Sequence, residues 1–115
     1  MGRWTYFTDA EVAGLVDDIC FKLDRARELF GYEIEITCGF RTPSHNAEIG
    51  GAQDSEHIFG RAADLKPPAD SVMRERMVWA LCTAGFKRVE SCPHHFHVDI
   101  SLTKPSPCFW QGTDR

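Results

Sequence analysis

The six residues His95-Phe96-His97-Val98-Asp99-Ile100 constrain the fold more than any other segment. Their period of two predicts a strand with Phe96, Val98 and Ile100 turned to a core and His95, His97 and Asp99 on the opposite face. Two imidazoles and a carboxylate aligned on one strand face are an expensive surface decoration. They are a natural way to build a metal or acid-base site. For a His-x-His pair taken alone, three solvated polar residues on an open sheet face would be the simpler explanation.

The rest of the chain supplies elements to pack against such a strand. Thr8-Asp9-Ala10-Glu11 has capping-box form, and Val12, Leu15, Val16, Ile19, Leu23, Ala26 and Phe30 recur at three- and four-residue steps. This pattern predicts one amphipathic helix, ended by Gly31. Glu33 to Thr37 alternates as a half-buried strand does. Thr42-Pro43 is an N-cap followed by proline, opening a short helix that stops at Gly50-Gly51. The stretch from Gln53 to Gly60 is polar and turn-like, and Ala62 to Leu65 is a short strand closed by Pro67-Pro68. A capped helix begins near Asp70 or Ser71, carries Met73, Met77, Val78, Leu81 and Ala84 on one side, and ends at Gly85. Strands are expected over Lys87 to Glu90 and Phe96 to Ile100, and the tail from Thr103 on is expected to be irregular chain lying across the surface. The expected fold class is α+β, a small, mostly antiparallel sheet with helices packed on it.

At 115 residues the chain allows one domain, residues 1–115, with room for a real core. Thirteen Lys plus Arg against seventeen Asp plus Glu give a net charge of -4, which argues against nucleic acid as a main partner. No run approaches the roughly 18 apolar residues of a membrane span. The N-terminus has no apolar segment behind its arginine, so synthesis in the cytoplasm without a secretory signal is expected. The five cysteines (Cys20, Cys38, Cys82, Cys92 and Cys108) are odd in number, widely spaced and without a CxxC pair. They predict buried free thiols rather than disulfides or a thiolate zinc site.

Four of the five histidines fall in two groups, the first holding His94, His95 and His97. The second group is Ser55-Glu56-His57-Ile58-Phe59-Gly60-Arg61-Ala62-Ala63-Asp64. Gly60 interrupts any helix here, so a loop entering a strand fits better. Taken singly, His57 is an ordinary loop histidine and Asp64 a turn or cap residue ahead of Pro67. Taken together, His57, Asp64 and His97 are two histidines and one carboxylate, the ligand set of a catalytic zinc site that keeps a position open for water.

Gly39-Phe40-Arg41-Thr42-Pro43, Asn46, Gly50-Gly51-Ala52, Ser55-x-His57-x-x-Gly60-x-Ala62-x-Asp64 and His95-x-His97-Val98-Asp99 follow in order. Together they resemble the zinc D-Ala-D-Ala carboxypeptidase group. That group includes phage L-alanyl-D-glutamate endopeptidases and shares its fold with the hedgehog signalling domain. The resemblance implies Zn2+ as cofactor, with His57, Asp64 and His97 as its ligands. It implies His95 as general base and acid, and Arg41 as the group that binds a substrate carboxylate or carbonyl oxygen. Ser55 and Asp99 would orient the ligands. The dipeptidase branch carries a glutamate three residues before the last zinc histidine. Here that position is His94, so the base rests on His95 with His94 as a competitor. Cys38 stands where serine is common, and Cys92 lies close to the histidines; if Cys92 reached the metal, the site would be closed and structural.

The function expected from this resemblance is a monomeric zinc peptidase that cuts an amide in the peptide part of bacterial peptidoglycan. A phage or prophage origin is expected, with action on the wall after membrane permeabilisation or as part of a virion. The alternative is a non-catalytic zinc-binding module of the same fold; retention of both His95 and Arg41 speaks for the enzyme.

Overall fold

The computed structural model describes residues 2–114. The period-two segments form strands of one sheet: β1 (Ile36–Cys38), β2 (Ala62–Leu65), β3 (Arg88–Ser91), β4 (Phe96–Asp99) and β5 (Cys108–Gln111). Their spatial order is β1-β2-β4-β3-β5. All neighbours are antiparallel except β3 and β5, which run parallel. The fold is α+β with a mostly antiparallel sheet.

Helices α1 (Asp17–Phe30) and α3 (Ser71–Thr83) supply Ile19, Leu23, Ala26, Phe30, Met77, Ala80 and Leu81 to one buried cluster. Ala63, Leu65, Val89, Phe96 and Val98 complete it from the sheet. Each of these strand residues alternates with a polar or small neighbour. The opposite face therefore collects Asp64, His97, Asp99, Arg88 and Glu90. Burial of apolar side chains on one face thereby fixes which residues are presented on the other.

α3 begins as expected, with Asp70 accepting from the Met73 amide at 2.9 Å. The short helix α2 (Pro43–Glu48) is capped by Thr42, which accepts from the His45 amide. Three expectations change. The Thr8–Glu11 capping box forms, with reciprocal bonds of 2.9 and 3.2 Å, but it closes only a turn. Gly14 then adopts φ +81, and α1 starts after Val16. A Cβ on Gly14 would lie 2.6 Å from Phe40, and one on Gly60 would lie 2.4 Å from the Gly14 carbonyl oxygen. A tertiary approach of two backbones thus interrupts a locally plausible helix. The first strand is Ile36–Cys38 rather than Glu33 to Thr37. The tail is not irregular throughout, since Cys108–Gln111 pairs with β3.

Candidate metal centre

His57 lies in a 3-10 turn, Glu56–Phe59, that Ser55 caps by accepting from the His57 amide at 3.3 Å. Asp64 comes from β2 and His97 from β4, and the two are direct cross-strand partners. Asp64 Oδ1 lies 3.4 Å from His57 Nε2 and 3.0 Å from His97 Nδ1. Asp64 therefore lies against both expected histidines, the three side chains being between 5% and 19% exposed. The group here whose donor atoms all lie within 4.8 Å of one another is Cys38, His57 and Asp64.

The far side of each ring is held. His57 Nδ1 is 2.8 Å from the Gly39 carbonyl oxygen, and His97 Nε2 is 2.8 Å from Asp99 Oδ2. Those acceptors call for a proton on His57 Nδ1 and on His97 Nε2, which leaves lone pairs on the nitrogens facing Asp64. Two lone pairs turned toward one carboxylate oxygen suit a cation. Without one, extra protons must take its place. Burial opposes charge on His57 most strongly, yet Asp64 and Cys38 outweigh it and push the imidazole up to about 9. His97 is likewise opposed by burial and still raised, by Asp64 and Asp99. Burial opposes ionisation of Asp64, but the two histidines hold its carboxyl well below the ordinary range. The donor set thus fits a divalent metal of the zinc type.

Asp99 is 2% exposed and accepts from Arg88 Nε at 2.7 Å and from the Ser101 amide at 3.0 Å, so the group that orients His97 is itself fixed. The Arg41 amide donates to the His57 carbonyl at 3.0 Å. Its guanidinium donates to Asn46 Oδ1 at 2.7 Å and to Cys38 Sγ at 3.2 Å. His95 immediately precedes β4, with its Nδ1 3.3 Å from Asp114 Oδ1. His94 shares the same carboxylate but is almost fully exposed.

The chain matches the family model described as Peptidase M15 over residues 3–100. It belongs to the peptidase M15 family. The comparison with curated proteins returned no match. Membership in M15 supports a metallopeptidase, and Cys38, His57 and Asp64 form a group of donors that could hold a metal ion.

Two further residues take part in the geometry of this M15 site. Cys38 is the cross-strand partner of Asp64 on β1, and its thiol, His57 and Asp64 offer donor atoms within 4.8 Å of one another. Hydrogen bonding to His57 lowers the Cys38 thiol, against burial and with help from Arg41. Glu90 is the partner of His97 on β3 and is 6% exposed. Neither is visible as a donor in sequence. Cys38 has the composition of a small core residue, and the position of Glu90 beside His97 depends on strand register. Its alternation with Arg88 around Val89 was the only local signal.

Proposed function

We propose that this M15 peptidase is a zinc-dependent hydrolase of an amide bond in the peptide part of bacterial peptidoglycan. It is encoded by a phage or prophage, works as a monomer, and reaches the wall after membrane permeabilisation or within a virion. The observation that carries this reading is that Asp64 lies against both His57 and His97 in a chain of the M15 family.

His57, Asp64 and His97 would hold the zinc, with Asp99 and the Gly39 carbonyl fixing the two rings and Ser55 fixing the turn that carries His57. When bound, zinc polarises a carbonyl and lowers the pKa of water to about 7. His95 takes the proton of the attacking water and returns it to the leaving amine, while Asp114 holds the ring through Nδ1. Arg41, clamped by Asn46 and Cys38, keeps further N–H groups to hold a substrate carboxylate or the developing oxyanion.

One observation favours a second reading, a zinc-binding module without catalysis. If Cys38 joined the three ligands, the site would be four-coordinate and closed. Digestion of purified peptidoglycan by protein loaded with one equivalent of zinc, followed by mass spectrometry, separates the two. The enzyme yields peptides with new amine and carboxylate ends. His95→Ala and Arg41→Ala should each keep the zinc and lose roughly 100-fold or more in cleavage rate. Intact peptidoglycan from fully loaded protein favours the closed module.

A further inference from the structure

A second group of donors lies beside the first, and the mechanism above uses only one of its members. The Glu90 carboxylate, the Cys92 thiol and one ring nitrogen of His95 lie within 4.8 Å of one another. Glu90 comes from β3, whereas Cys92 and His95 flank the turn into β4. Glu90 and Cys92 are buried, at 6% and 1% exposure.

All three are held by their surroundings. The Cys92 amide donates to the His95 carbonyl at 2.9 Å. Arg74 on α3 donates to the Cys92 carbonyl at 2.9 Å and the Pro93 carbonyl at 3.2 Å, pinning the turn from below. Glu90 occupies space left by Gly112, where a Cβ would come within 1.8 Å of Glu90 Oε2. Asp114 faces His95 Nδ1, the kind of carboxylate partner that orients a ligating imidazole.

We propose that Glu90, Cys92 and His95 form a second metal site, for zinc or another thiophilic dication, whose occupation silences the enzyme by withdrawing His95 from proton transfer. The silencing half rests on the reading of His95 as the base. A carboxylate, a thiolate and a neutral imidazole together balance a dication, which suits a buried location where uncompensated charge is costly. The thiolate selects zinc or cadmium over magnesium and calcium. Bonds of about 2.0–2.3 Å place tetrahedral ligands roughly 3.5 Å apart, so small side-chain rotations close the cluster on an ion.

The test is a zinc and cobalt titration of the full chain, read by metal content, by absorption and by cleavage. Wild-type protein should bind a second zinc beyond the first. Its cobalt form should show a thiolate-to-metal charge-transfer band that vanishes in Cys92→Ser and persists in Cys38→Ser. The second equivalent should cut cleavage by roughly tenfold or more. Gly112→Ala should abolish that inhibition while leaving cleavage at one equivalent in place, and Glu90→Gln should abolish binding of the second zinc. Gly112→Ala brings a methyl against Glu90 Oε2, Cδ and Cγ, so it forces the Glu90 side chain to shift without changing the chemical identity of a ligand. A single zinc at saturation, or a charge-transfer band that follows Cys38 rather than Cys92, overturns the second site. If His95→Ala is active at one equivalent and wild-type protein binds two zincs without inhibition, the metal site stands and the silencing is overturned together with the assignment of the base.

Discussion

His57 is pulled by its surroundings in two directions, and the balance shows in how the metal-free chain responds to pH. Burial disfavours the imidazolium, but Asp64 and Cys38 favour it more and raise the ring from 6.5 to about 9. A group whose folded value is raised contributes stability that is complete below its unfolded value and is lost as pH climbs through the folded one. Asp64 acts oppositely, contributing above the ordinary carboxylate value and losing its contribution in acid. Thermal unfolding in the presence of a chelator should therefore show a melting temperature that falls between pH 6.5 and about 9. Zinc replaces those protons, so the stabilisation it adds should grow across the same window. An unchanged melting temperature over that range would contradict the proton arrangement around Asp64.

The element that positions His57 is the turn ending at Gly60, and its geometry depends on the loop before α1. Gly60 has φ +69, and its carbonyl accepts from the Val16 amide at 2.9 Å. Gly60→Ala would place a methyl against the Gly14 carbonyl in a left-handed backbone. A loss on the order of 2 kcal/mol or more follows, to be read by denaturant unfolding, together with weaker zinc binding because the His57 turn must shift. The same contact explains what could be read in advance. α3, β2, β3 and β4 were legible because caps and period two are local signals. The start of α1 was not, because the break at Gly14 is imposed by a segment 46 residues away (Gly60). β5 was missed because its residues alternate only between half-buried and exposed at a sheet edge. In the site, strand parity and motif spacing singled out His57, Asp64, His95, His97 and Asp99 as candidates. Cys38 and Glu90 became visible only once register set them opposite Asp64 and His97.

Across the whole molecule, helices cover one sheet face and the charged donors occupy the other, so the core can form without the metal. None of the five cysteines is in a disulfide among the described residues, and they are spread between core, sheet and site. Thiol titration of the unfolded, unreduced chain should find all five, and a shortfall would point to a pair that this fold does not contain. No helix among the described residues is long and apolar enough to cross a membrane. The parallel pairing of β3 and β5 has a consequence for the order of assembly. Such pairing requires the chain to travel back along the sheet before the last strand can dock. Asp114, three residues past that strand, then reaches the His94–His95 turn. His57, Asp64 and His97 all precede Asp114 in the chain, His97 by 17 residues. A product cut before Asp114 would keep these three residues while the His94–His95 turn loses its carboxylate partner.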